Sequence, residues 1–150
     1  LNTPYKTIFD AFLAKIDSYE IGDLEDIVAE YDMTGLMNSG MVYFRLPKVN
    51  IWDKDDELKT FNVELSYEEI QIISRLMVAE WFKRMVYNTD TLIQKFGETD
   101  FEFKSQANHL KAQVEAWKEI VDSDVKTLLS NYSRSYQGEI FNYKLLAGKK

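Results

Sequence analysis

The stretch from Ser66 to Asn88 constrains the fold more than any other part of this chain. Ser66-Tyr67-Glu68-Glu69 reads as a capping box. In that motif the serine oxygen takes an otherwise orphaned amide of the first helical turn, and the glutamate reaches back to the cap. Leu65 before the cap and Ile70 after it have the spacing of a hydrophobic staple. Ile70, Ile73, Met77, Trp81 and Met85 then recur as one helical stripe, which Leu76, Val78 and Phe82 widen. A helix apolar around so much of its circumference has to be enclosed by other elements. The spacing predicts that it ends near Asn88.

The rest of the chain offers the enclosure. Thr3 reads as an N-cap with Pro4 at the first helical position, where its missing N–H costs nothing. Tyr5, Ile8, Phe9, Phe12, Leu13 and Ile16 follow on one face and predict a helix over 4–18. After a turn at Ile21-Gly22, Asp23 is placed to cap a short helix carrying Leu24, Ile27, Val28 and Tyr31. Leu36, Met37, Met41 and Val42 suggest another helix within Thr34–Leu46. Gly35 and Gly40 each weaken that helix by ~1 kcal/mol relative to alanine, and Pro47 marks its latest end. A long helix over 105–133 carries Ala107, Leu110, Val114, Trp117, Val121, Val125, Leu128 and Tyr132 at spacings of three and four, the narrow seam of a helix lying lengthwise on a partner.

Two stretches read as extended. Val49, Ile51, Phe61 and Val63 alternate on either side of Asp53-Lys54-Asp55-Asp56-Glu57, as in a hairpin turning over that acidic cluster. The connector from Asn88 to Ser105 contains Gly97, and Phe101 and Phe103 alternate with charges there as a third short strand would. The expected fold class is mainly α: a bundle of about four helices with a small β-hairpin or extended loop and an extended C-terminal tail. Residues 1–134 form the helical domain. The tail, 135–150, carries Tyr136, Ile140, Phe141, Tyr143, Leu145 and Leu146, and an apolar tail of this kind docks on its own body or on a neighbour.

Composition narrows the function. With no cysteine, thiol nucleophiles, cysteine-ligated zinc, iron–sulfur clusters and a disulfide-stapled fold are excluded. The formal charge is −7, from 25 acidic and 18 basic residues, and no basic patch of the kind that grips phosphates is visible. An acidic chain can still surround DNA without holding it, because like charges keep the polymer off the wall. No run approaches the ~20 apolar residues of a membrane span. The amphipathic start, Leu1 to Ile16, is broken by Lys6, Asp10 and Lys15 and does not read as a signal peptide, so the chain is expected to be soluble.

No motif carries catalytic chemistry. His109 is the single histidine, and a histidine metal site needs more than one. The acidic cluster alternates like a calcium loop, but Leu58 stands where the EF-hand turn needs glycine, and a solvated turn is the simpler reading. Glu68-Glu69 is explained by capping, and no GxSxG, GxGxxG or P-loop pattern is present. No enzyme and no cofactor is expected. Of the tryptophans, Trp81 and Trp117 lie on helical stripes, whereas Trp52 precedes the acidic turn and is a candidate anchor between subunits.

Several segments resemble a group of structural proteins from phages of Gram-positive hosts. They are Ile8-Phe9-Asp10-Ala11-Phe12-Leu13, Phe61-Asn62-Val63-Glu64-Leu65, Leu76-Met77-Val78-Ala79-Glu80-Trp81, Ser105-Gln106-Ala107-Asn108-His109-Leu110-Lys111 and Leu128-Leu129-Ser130-Asn131-Tyr132-Ser133. The group looks like head–tail connectors, also called neck or adaptor proteins, and the likeness spans roughly residues 5–133. It implies a virion protein, assembled in the host cytoplasm, that forms a homo-oligomeric ring, typically twelve-fold, beneath the portal. Such a ring extends the DNA channel, lets DNA pass without tight binding, and docks the next neck or tail component. On that basis Trp52, Tyr136, Ile140, Phe141, Tyr143 and Leu145 are expected at a subunit or portal interface, and Asp53, Asp55, Asp56 and Glu57 on a channel- or tail-facing loop. The rival expectation is a monomeric or dimeric helical regulatory module, such as a phage-encoded inhibitor of a host protein.

Overall fold

A computed structural model of the protein describes residues 2–17, 32–96 and 101–147. In chain order these hold β1 (Thr3–Pro4), α1 (Tyr5–Asp17), α2 (Met33–Met41), β2 (Lys54–Asp55), β3 (Thr60–Phe61), α3 (Tyr67–Phe96) and α4 (Phe101–Ala147). Among the described residues the fold is mainly α, four helices with a small antiparallel sheet, as the periodicity predicts. The short helix expected around Asp23–Tyr31 lies outside the described residues.

The capping box forms as read: Glu69 N–H donates to Ser66 Oγ at 3.2 Å, and Ser66 N–H donates to Glu69 Oε1 at 2.8 Å. The helix it starts, α3, is the axis of the molecule, with α1, α2 and α4 all packed against it. Ile72, Ile73, Leu76, Met77, Val78, Trp81 and Phe82 are buried there. Trp81 is the hub. Phe12 of α1 meets it edge-on at 6.4 Å between ring centroids, Phe82 lies 5.2 Å away, and Trp117 of α4 stacks on Phe82 at 6.2 Å. Phe12, Trp81 and Phe82 are fully buried and each contributes roughly 1.5–3 kcal/mol of transfer free energy. With the partly buried Trp117, this aromatic row ties three helices into one core.

The pair α3 and α4 is antiparallel. Lys111 pairs with Asp90 at 2.6 Å, Trp117 stacks on Phe82, and Tyr132 reaches Glu69. The seam positions Val114, Val121, Val125 and Tyr132 are buried, with Trp117 and Leu128 packed against them. Because Tyr132 is level with the first turn of α3, the rest of α4 runs past that turn. From Arg134 to Ala147 the helix extends about 20 Å further at 1.5 Å per residue.

Three boundaries differ from the expectation. The central helix continues beyond Asn88 to Phe96, because its antiparallel partner is still alongside at Asp90. Phe101 and Phe103 open α4 instead of forming a strand; two alternating residues are too few to distinguish a strand from a helix start. The backbone from 135 onward, expected to be extended, stays helical as far as Ala147.

The sheet is ordered β1-β3-β2, with Thr3 opposite Phe61 and Lys54 opposite Phe61 on its other side. A hairpin is therefore present, but it is tighter than expected. Its first strand, Lys54–Asp55, lies within the acidic cluster, Val49, Ile51 and Val63 lie outside the strands, and the third strand is Thr3–Pro4. Thr3 is not spent as a helix cap: its hydroxyl accepts the Leu65 N–H at 2.9 Å, fixing the approach to α3. The cap that the sequence reading missed is Asp32, which accepts the Thr34 N–H at 3.1 Å. A side chain at Gly35 would crowd that carboxylate, its Cβ lying 2.9 Å from Asp32 Oδ2.

Lys59 closes the hairpin with φ 56°, a left-handed conformation that costs a non-glycine residue roughly 1–2 kcal/mol. Its carbonyl accepts the Tyr5 N–H at 2.9 Å, so the geometry is held from outside the turn. Lys59→Gly should stabilise the fold by about 1 kcal/mol. The check is urea unfolding: the midpoint should rise at an unchanged slope.

Candidate functional site

The acidic hairpin is held together by its own carboxylates. Asp55 Oδ1 accepts the N–H groups of Glu57 and Leu58, both at 2.9 Å, which shapes the turn. Asp53 takes the Asn62 amide through Oδ1 at 2.9 Å and the Asn62 N–H through its carbonyl at 2.9 Å. Asp56 Oδ1 accepts from Lys54 Nζ at 2.7 Å and from the Tyr5 hydroxyl at 2.6 Å. The bond from Lys54, then that from Tyr5, holds the Asp56 carboxyl below its usual range. Burial, followed by the bond to Asp56, pushes the Tyr5 phenol above its ordinary value. Glu57 stands exposed at the tip. The loop remains acidic, but Asp53, Asp55 and Asp56 serve its architecture before they can serve a partner.

Trp52 lies where the hairpin leaves the core. Ile51 beside it is fully buried, the Trp52 N–H donates to Asn50 Oδ1 at 3.1 Å, and the residue is 49% exposed. It is thus an open aromatic on a fixed backbone, as an anchor has to be. Tyr136, Ile140, Phe141, Tyr143 and Leu145 fall on the helical continuation of α4, with their side chains outside the described residues. His109 is exposed on α4, and no group of three metal-ligating side chains occurs among the described residues. Among these residues, too, no helix is long and apolar enough to cross a membrane.

A groove that the sequence does not announce runs between α3, α4 and the loop after α2. It comprises a cavity of about 480 Å³ and an adjoining one of about 280 Å³, which share Tyr43 and Leu129. Leu76, Ala79, Val125 and Leu129 line it with apolar surface. Lys83, Lys118, Lys126, Glu80 and Asp122 add charge of both signs. Lys118 pairs with Asp122 at 2.8 Å. Lys83 sits 5.9 Å from the Tyr43 ring centre, and Glu80, then Tyr43, holds its ammonium above the usual value. Phe44 explains the shape: it is buried edge-on against Tyr132 at 5.2 Å. The loop is therefore pinned while Val42, Tyr43 and Leu46 stay exposed.

Beneath the groove, Tyr132 extends the capping box into tertiary structure. Its hydroxyl donates to Glu69 Oε2 at 3.0 Å and accepts the Lys48 N–H at 2.6 Å. Burial pushes the phenol above its ordinary value; the Lys48 amide opposes that shift and the Glu69 carboxylate adds to it. The helix start, the long helix and the 42–48 loop meet at this one oxygen.

An apolar floor with a mixed-charge rim suits an amphipathic helix, and the hairpin offers a rigid exposed aromatic. No protein family, no curated protein and no solved structure matches the chain.

Proposed function

We propose that this chain is a structural subunit of a tailed-phage neck. In this reading it is a head–tail connector that binds the portal, closes into a homo-oligomeric ring and extends the DNA channel toward the next neck or tail component. The ring is twelve-fold and lets DNA pass without gripping it. The chain is a virion protein with no catalytic role and no cofactor. Its interface residues are Trp52 and the 136–145 segment, with the acidic hairpin turned to the channel or the tail side.

One observation carries the reading: the subunit has two unlike surfaces at different places, a helix running past the body and an apolar groove beside the 42–46 loop. Rings close through such heterologous, head-to-tail pairs. The resemblance across residues 5–133 points the same way, and the net charge of −7 suits a channel wall that does not hold DNA.

The test is the mass of the purified chain in solution, alone and mixed with isolated portal rings. A ring, either by itself or on the portal, is the expected result, and removing residues 136–150 should abolish it. A monomer or dimer indifferent to the portal overturns the reading in favour of a helical regulatory module that binds a host protein.

A further inference from the structure

We infer that the groove between α3, α4 and the 42–46 loop is the acceptor for the C-terminal helical segment, residues 136–147, of a second copy of this chain. This deepens the ring reading and rests on it for the number of copies joined.

Three observations converge. First, α4 lines the groove from Lys118 to Ser133, about 22 Å at 1.5 Å per residue. The donor segment, residues 136–147, is about 17 Å long at the same rise, so it spans most of the acceptor. Second, the segment cannot fill the groove of its own chain. It continues the same unbroken helix that forms one wall, and a continuous helix does not turn back onto a face that it lines. Third, the chemistry fits. Tyr136, Ile140, Tyr143 and Ala147 recur at the spacing of one helical face. The segment carries one acidic and one basic residue, Glu139 and Lys144, which suits an apolar floor with a rim of both signs. Tyr43, which lines both cavities, and Leu46, which lines the smaller one, are exposed and would be covered by the incoming helix.

The absence of cysteine from the chain makes a direct test available. Full-length protein carrying Leu46→Cys is mixed, under mild oxidation, with full-length protein of different tag length carrying either Tyr136→Cys or Ala147→Cys. Leu46 lies near the Ser133 end of the groove. One of the two tail positions should therefore form a mixed disulfide with it and the other should not, and which one reacts gives the direction of the incoming helix. Leu58→Cys, 75% exposed on the hairpin, is the control and should give no mixed disulfide with either. Absence of cross-linking at Leu46, or equal cross-linking at Leu58, overturns the inference. Either failure is separable from failure of the connector reading, because assembly on the portal is read by mass and not by this bond.

Discussion

Tyr132→Ala is expected to lower the unfolding free energy by about 3–5 kcal/mol, the range for truncating a buried aromatic. The ring is 2% exposed and packs edge-on against Phe44, so its loss leaves a cavity beneath the loop that forms one wall of the groove. The hydroxyl adds a separate share. Without it, Glu69 Oε2 and the Lys48 N–H both lose a partner, and leaving a buried polar group unpaired costs roughly 1–3 kcal/mol. Tyr132→Phe isolates that share, since the ring stays. Chemical denaturation of the three proteins gives both numbers; a phenylalanine variant as stable as the parent would show that the oxygen is dispensable. The pH dependence follows from the same group. A phenol whose folded value lies above its unfolded value of 10.0 keeps its proton better when folded. Its contribution is complete below pH 10 and is lost as pH rises above it. Tyr5 is shifted the same way, so alkaline unfolding should be steep, and Tyr132→Phe should make it shallower.

What the sequence discloses is what adjacent residues decide. The capping box at Ser66 and Glu69 is read correctly because both of its bonds lie within one turn. The hairpin is read in outline because the buried Ile51 and Phe61 flank a charged tip, but its first strand, Lys54–Asp55, lies within that charged run and so escapes the apolar alternation. Partners distant in the chain escape such reading. Glu69 is legible as a cap but not as the acceptor for a tyrosine 63 residues away. Thr3 has the right residue type for a cap, yet pairing of β1 with β3 places its hydroxyl at Leu65. The length of α3 is set by α4 and not by its own polar residues after Asn88. For the candidate site, Trp52 is legible as an aromatic outside any stripe. The groove is not, because Tyr43 and Leu129, which line both of its cavities, are far apart in the chain and meet only through the packing of Phe44 on Tyr132. The acidic cluster is visible as charge, while the employment of Asp53, Asp55 and Asp56 within the turn depends on Asn62, Tyr5 and the local backbone.

Gly40 separates the local from the tertiary reading in a single experiment. On helix propensity alone, replacing a helical glycine by alanine should stabilise α2 by about 1 kcal/mol. The packing argues the reverse. A Cβ at Gly40 would lie 3.0 Å from the carbonyl carbon of Leu76 and 3.1 Å from its Cβ and its carbonyl oxygen. Two of those three atoms are backbone of the central helix, which cannot rotate aside as a long side chain can. The helix α2 has to move out instead, loosening Leu36, Met37 and Met41, all fully buried. Overfilling a packed interior costs typically 1–3 kcal/mol. Alanine should therefore be destabilising by about 1 kcal/mol after its propensity gain. Valine, with two more carbons and no helix advantage, should reach about 3 kcal/mol or more. Urea midpoints of the two variants decide the matter. A stabilised alanine variant would mean that α2 yields freely and that the glycine only weakens the helix. Graded destabilisation from alanine to valine would mean that close contact between α2 and α3 is what this position is for.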